Sequence, residues 1–288
     1  MNFYLSALLE GLCFSGLALG IFISMKIFNI PDITTDGSYT LGAVVTATMI
    51  AHNQPAYLVL PMVIIAGAFT GAITGIIHTK LKINALLAGI LVMTALYSIN
   101  LVIMGTSNIP LNGVQTIFTW LQISDNANHN AFYIAILFVL VIVAVIGYLL
   151  KTDFGLAMRA TGNSESMIRA LGVNTDRMKI TGLALANALT AVSGYLISQN
   201  QGFTDINMGI GIVITGLGSV IIAETLINWF RITSVWLSLV LVLAGVIIFK
   251  LILALTLDIG VDPNLLKLVT AAFVLIIVSL PRLNFMAK

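Results

Sequence analysis

Residues 151–179, KTDFGLAMRATGNSESMIRALGVNTDRMK, gather five of the thirteen Lys and Arg side chains: Lys151, Arg159, Arg169, Arg177 and Lys179. Small residues lie between them, among them Gly155, Ala160, Gly162, Ser164, Ala170 and Gly172, and these let another surface come close. Guanidinium groups make charge-assisted hydrogen bonds to carboxylates, so Arg159 and Arg169 could grip an acidic partner. The competing role for such a loop is to set topology and touch anionic lipid. The spacing predicts one short helix over 160–172. Asn163 or Ser164 would cap its start, Glu165 would sit in its first turn and Gly172 would end it. At about 1.5 Å per residue such a helix is only ~15 Å long, too short to cross a bilayer.

A second set of reactive groups lies in or beside apolar runs: Glu10, Lys26, Asp32, Asp36, Glu224 and Lys250. Ionisable groups there are costly and ask for a partner or a function. Asp36, just before Gly37, is placed as a cap for the helix it precedes. Lys250 is expected to snorkel to the membrane edge. Uncharged polar residues can pass a solute along without trapping it. Thr34, Thr35, Ser38, Tyr39, Thr40, Asn100, Asn187 and Thr215 are therefore the candidate translocation pathway, with helix-to-helix hydrogen bonding as the competing role. Met25, Met93, Met104, Phe14 and Phe22 could form an adaptable apolar gate, or simply pack. His52, His78 and His129 have no metal-ligand spacing, and Cys13 stands alone, so no metal site is expected. No phosphate-binding G-x-x-x-x-G-K-[ST] run occurs, so the chain has no ATPase motif of that kind.

What must position these groups is a membrane fold. The chain is 59% hydrophobic and 8% charged, with a mean hydropathy of +1.07, far below the roughly 25% charged residues that cover a soluble domain. The reading is an all-α, polytopic membrane protein, one transmembrane domain over 1–288, with no cleavable signal peptide and no nucleic-acid role. About nine spans are predicted, at 4–27, 37–52, 55–78, 84–104, 131–150, 180–199, 207–228, 233–256 and 264–281. The runs 37–52 and 207–228 are expected to be broken or partly re-entrant, the first following a polar break and the second rich in glycine. Basic residues place the 151–179 loop, Lys80–Lys82, Arg231 and the tail with Arg282 and Lys288 inside, while the 105–130 loop with Asp125 lies outside. The N-terminus is then out and the C-terminus in. Ile117–Leu121 in that outer loop predicts an interfacial helix anchored by Trp120. TDGSYTLGAVVTA at 35–47 also echoes TDINMGIGIVITG at 204–216, a faint sign of duplicated halves.

The stretch FGLAMRATGNSESMIRALGVNTDRMKITGLALANALTAVSGYL resembles the cytoplasmic loop and following helix of permease subunits of ATP-binding-cassette importers. The group is the branched-chain amino acid and ribose permease family. Gly155, Arg159, Ala160, Gly162, Asn163, Ala170, Gly172 and Asn174 fill that family's frame, while its usual Ala pair stands here as Ser166–Met167. GLALGIFISMKIFNIPDITTDGSYTLGAVV and HTKLKINALLAGILVMTALYSINLVIMG are similar to a smaller branch of the family, one linked to tryptophan and other amino acids.

The resemblance implies that 160–172 is a coupling helix seated in a separate ATPase subunit. Gly155, Arg159, Ala160, Gly162, Asn163, Glu165, Arg169 and Gly172 would form the contact. It also implies a plasma-membrane permease without cofactor of its own, ATP and magnesium being bound by the partner ATPase. An extracytoplasmic solute-binding lipoprotein would deliver the solute, and a second copy of the chain would complete the pathway. The expected solute is an amino acid, aromatic ones slightly preferred, with sugars and nucleosides left open. The alternative is a secondary transporter driven by an ion gradient, with Glu10, Asp36 or Glu224 carrying the ion.

Overall fold

Glycines four apart write the central packing. On one helix Gly67, Gly71 and Gly75 form a single stripe, and a Cβ on any of them would run into the backbone of a neighbouring helix at Asn187–Ala188, Leu183–Ala184 and Ile180. In lipid no hydrophobic force brings helices together, so close backbone approach through small residues carries the association. The computed structural model describes residues 3–111, 113–121, 124 and 127–286, with the side chains of 127, 128 and 280–286 left aside.

In chain order the helices are α1 (Phe3–Cys13), α2 (Ser15–Ile21), which continues as a π-helical turn (Phe22–Ile27), α3 (Thr34–Ala51), α4 (Ala56–Thr79) and α5 (Ala85–Met104). A short strand β1 (Asn108–Pro110) and the one-turn α6 (Ile117–Trp120) precede α7 (Ala127–Lys151). Then come α8 (Asp153–Asn163), α9 (Glu165–Ala170), α10 (Thr175–Gln201), strand β2 (Phe203–Asp205), α11 (Ile212–Trp229), α12 (Val235–Asp258) and α13 (Leu266–Met286). β1 and β2 pair antiparallel, Ile109 opposite Thr204, and tie the segment after α5 to the end of α10.

Each of the nine predicted runs holds a helix. Six are long and apolar enough to cross a membrane: α4, α5, the His129–Lys151 part of α7, α10, α11 and α12. The α1–α2 pair, bent by 43°, makes a seventh. α10 is the hub, buried along most of its length, with α2, α3 and α4 laid against it. Gly16 and Gly20 of α2 abut the carbonyls of Leu189 and Ala186, and Gly42 of α3 abuts Ala191. α3 is itself enclosed: fourteen of its eighteen residues are buried, so its TTDGSYT start can be polar because protein rather than lipid surrounds it.

The structure corrects several boundaries and roles. The polar stretch from Thr34 is already helical, so the second run begins earlier than 37. The seventh run begins only at Ile212, because Phe203–Asp205 is a strand and 206–211 are turns, with Gly211 at φ +82°. The echo between 35–47 and 204–216 is therefore not one of local structure. The predicted single helix over 160–172 is two helices broken at Ser164, whose extended backbone interrupts the ladder. Lys250 does not snorkel. It is half-buried, pairs with Glu10 at 2.9 Å and lies 3.7 Å from the centre of the Phe14 ring. The short helix expected at Ile117–Leu121 is present, ending one residue earlier at Trp120, whose side chain is exposed. Asp125 and Lys288 lie outside the described residues.

Candidate functional site

Asn187, in the middle of α10 and fully buried, ties its helix to α3 and to the break before it. Its Nδ2 donates to Asp32 Oδ2 at 2.7 Å and to the Leu183 carbonyl at 3.0 Å, and its Oδ1 accepts from Ser38 Oγ at 2.7 Å. Ser38 meets Thr70 Oγ1 of α4 at 2.8 Å, and one turn away Thr34 meets Thr74 at the same distance. Asp32 Oδ1 accepts the Thr34 N–H at 2.9 Å and so starts α3, while Thr35 Oγ1 donates to the Asp32 carbonyl. Every bonding capacity of the Asn187 amide except one acceptor lone pair is thus used. Four predicted pathway residues, Thr34, Thr35, Ser38 and Asn187, belong to this web. Tyr39 stacks on Phe14 in the core, ring centroids 5.7 Å apart.

Asp36 caps a helix, though not its own. Its carboxylate accepts the Gly211 and Val213 N–H groups at 2.9 and 2.8 Å, the free donors at the start of α11. A carboxylate at a helix N-terminus also meets the positive end of the helix dipole. The level of this junction is central. A Cβ on the adjacent Gly37 would meet Met93 and Leu96, which lie midway along α5. The turn at 206–211 therefore descends from the strand pair to the mid-height of the bundle before α11 begins. Gly209 is packed directly on the Asp36 carbonyl and the Thr40 hydroxyl, a contact that any side chain would break.

Beside this junction is a cavity of about 310 Å³, walled by α3 (Asp36, Gly37, Thr40), α5 (Met93, Tyr97, Asn100 and neighbours) and the turn (Ile206, Gly209, Ile210). Ligand pockets run from roughly 300 to 1,000 Å³, so this one suits a single small solute. Of the predicted pathway residues it gathers Thr40 and Asn100. Thr215 is half-buried in the first turn of α11. Sequence reasoning missed Thr70 and Thr74, which lie beside the Gly67–Gly71–Gly75 stripe, and Tyr97, three residues from Asn100 and so on the same face of α5.

At one end of the bundle stands the basic island. Thr152 caps α8, accepting the Gly155 N–H at 3.3 Å, and Gly155 lies against the Leu149–Leu150 backbone. Gly162 lies on the Ile27 carbonyl so tightly that a Cβ would overlap it, and Asn29 Nδ2 donates to the Gly162 carbonyl at 3.2 Å. Glu165 gathers Arg169 at 2.8 Å, Thr175 at 3.2 Å and Lys179, which fastens α9 to the start of α10. The Lys179 bond, chiefly, holds the Glu165 carboxyl below the usual carboxylate range. Arg169 also approaches Asp176 at 3.5 Å, so this arginine is engaged within the chain. Arg159 is half-buried, and its Nε has no partner. Ala160 is half-buried, and Asn163 and the left-handed Gly172 are exposed. Near them Leu156, Met167 and Leu171 present apolar side chains to the outside.

The remaining membrane ionisable groups are paired. Lys26 meets Glu224 at 3.0 Å, and Glu10 meets Lys250. Among the described residues no group of three His, Cys, Asp or Glu side chains comes together to hold a metal ion.

Comparison with known proteins covers nearly the whole chain. Residues 3–279 match the family described as branched-chain amino acid transport system / permease component. The chain is 36% identical to a tyrosine transport system permease protein of Clostridioides difficile (strain R20291), over 100% of this chain and 94% of that protein. It is 34% identical to an uncharacterized protein of Rickettsia prowazekii (strain Madrid E), over 97% and 98% of the two chains. It is 25% identical to the ribose import permease protein RbsC of Haemophilus influenzae, over 73% and 64%. No solved structure gives a significant match.

Proposed function

This chain belongs to the branched-chain amino acid transport permease family, and we propose that it forms the translocation pathway of an ATP-driven importer for an amino acid. As a permease of this family it is a multi-pass protein of the plasma membrane. The tyrosine permease relative supports an amino acid as the solute and favours an aromatic one. The energy comes from a separate ATPase docked on α8 and α9, and a solute-binding protein delivers the solute on the other side. The α8–α9 end faces the cytoplasm, as its basic residues direct.

One observation carries this reading: the exposed α8–α9 unit is seated through Gly162 on Ile27 and Asn29, in the break from which Asp32 and α3 start. A pull on α8 therefore reaches the buried web at Asp32 and Asn187 without crossing solvent. The route is a chain of packed contacts, the physical form that coupling between distant sites requires. The half-buried Arg159 and the exposed apolar Leu156, Met167 and Leu171 suit the ATPase contact, whereas Arg169 serves the fold.

Two copies complete the pathway. α5 packs on α3 and α4 and leaves its Thr94, Tyr97 and Ser98 side uncovered, where the cavity opens. The ion-gradient alternative needs a carboxylate free to take up an ion. Glu10 and Glu224 are ion-paired and Asp36 holds two N–H groups, so the geometry supports it less.

Co-purification tests the reading. The wild-type chain should retain its ATPase through detergent extraction and hydrolyse no ATP alone, and Gly162→Val should release the ATPase. Normal assembly and transport by that variant would count heavily against a coupling role for α8.

A further inference from the structure

Lys26 and Glu224 pair at a point that the buried polar web does not reach. Their Nζ and Oε1 atoms are 3.0 Å apart, and among the described residues neither side chain has another polar partner. Lys26 is the only base between Ser15 and Ile33, and Glu224 is the only charged residue of α11. Lys26 lies in the π-helical turn Phe22–Ile27, a widened turn of the kind often found at functional places in helices. Within that turn neighbouring residues meet different helices. The Ile27 carbonyl carries Gly162 of α8, and the Lys26 ammonium meets α11. Earlier along both helices Gly216 of α11 sits on Ile21 of α2, so the two run side by side in the same direction. The side chains are 46% and 31% exposed, and ion pairs of that kind add little to stability. A charge on each of two otherwise uncharged membrane segments is costly, so the pair asks for a role beyond holding the fold.

We propose that Lys26 and Glu224 are positioning residues for transport: their ion pair ties α11 to the break, so that a displacement of α8 moves α11 as well as α3. The inference rests on the importer reading and adds to it the element through which a second wall of the cavity follows the ATPase. α8 reaches α3 through Ile27, Asn29 and Asp32. It reaches α11 through Ile27 and the neighbouring Lys26. The two routes meet again at the start of α11, where the Asp36 carboxylate of α3 holds the Gly211 and Val213 N–H groups. α11 is thus fastened at its start to α3 and in its second half to the break. Without the Lys26 tie, apolar contacts such as that of Gly216 would join α11 to α2, and packed helices slide along such contacts. The turn at 206–211, which leads into α11, supplies Ile206, Gly209 and Ile210 to the cavity wall, so the position of α11 shapes that wall. Ion pairs carry coupling between sites as packed side chains do.

Turnover in proteoliposomes tests the proposal, with the full chain joined to its ATPase and solute-binding protein and with ATP hydrolysis and L-tyrosine uptake measured together. Lys26→Met should assemble and hydrolyse ATP but carry less solute. The ATP used per tyrosine should rise about fivefold, within the range that single substitutions along a coupling route produce. Lys26→Glu should raise it further, because two carboxylates then face each other. Lys26→Glu combined with Glu224→Lys should bring it back to within about twofold of the wild type. A contact that serves the fold alone would lower assembly, hydrolysis and uptake together and leave the ratio unchanged. Lys26→Cys with Glu224→Cys, joined by a short bifunctional thiol reagent, should keep ATP-driven uptake, since a tie that holds through the cycle tolerates a covalent replacement. Cys13 is fully buried and does not compete for the reagent. An unchanged ratio in Lys26→Met, a swapped pair no better than Lys26→Glu, or uptake stopped by the cross-link and not by reagent on either single Cys variant would each overturn the tie. Failure of Lys26→Met to assemble, without rescue by the swap, would do the same. Any of these beside normal ATP-driven uptake by the wild type would leave the importer reading standing, whereas a wild type without such uptake would sink that reading and the tie with it.

Discussion

At the scale of single residues the account turns on a few polar atoms placed where water is absent. Asn187 holds Asp32, Leu183 and Ser38 together, and removing it does two different things. Lost interhelical bonds in a membrane protein cost about 0.6 kcal/mol each, whereas a buried carboxylate left short of a partner costs about 3–5 kcal/mol. The second effect dominates. Asn187→Leu should therefore lower unfolding free energy in detergent by about 2–4 kcal/mol, and the double variant with Asp32→Asn should recover much of it. Additive losses in that cycle would show that the pair does not interact. Glu165 gives a pH dependence. Its folded pKa is depressed, so the stability it lends is present above the ordinary carboxylate range and is lost as pH falls through the lower folded value. Amide exchange in α9 should rise on acidification in the wild type. Glu165→Gln should already exchange fast at neutral pH and respond little to acid. Asn187, Ser38 and Asp32 are visible in the sequence as polar residues in apolar runs. Their pairing is not, because 155 residues separate Asp32 from Asn187 and no local rule joins them.

At the scale of elements, the sequence marks where helices lie better than where they start. α10 and α4 are legible from hydropathy, and their contact follows from glycines four apart. Gly71→Leu should separate them, since its side chain would enter the Leu183 backbone, and thermal unfolding should fall well below the wild type. A variant with unchanged stability would mean that α4 and α10 do not pack through this stripe. The starts of α3 and α11 escape the sequence for one reason. Protein shields the polar TTDGSYT turn, which permits a helix there, while Asp36 supplies from another helix the cap that α11 lacks in its own sequence. Asp36→Ala should cost about 1–2 kcal/mol, the usual worth of a cap, and speed amide exchange at Gly211–Val213. The break at Ser164 is only half legible. Ser164, one of the two predicted caps, does start a helix, but that of α9, and the hydropathy gives no sign that a separate helix, α8, runs up to it.

At the scale of the whole molecule, the α8–α9 pair, a buried polar web and a mid-height cavity lie along one line of contact. α8 rests on the break at Ile27–Asn29, the break leads to Asp32 and α3, and α3 carries both Asp36 and one wall of the cavity. Composition alone announces the membrane fold, and the island's polar, small-residue spacing marks short helices outside the spans. The cavity is not legible, since it forms only when the turn at 206–211 folds in beside α5. The direct test is uptake into proteoliposomes of radiolabelled L-tyrosine and of a branched-chain amino acid, with the chain alone or joined by its ATPase and solute-binding protein. The account predicts accumulation only with all three proteins and ATP, and none with the chain alone under a proton or sodium gradient. Gradient-driven uptake by the chain alone would contradict it.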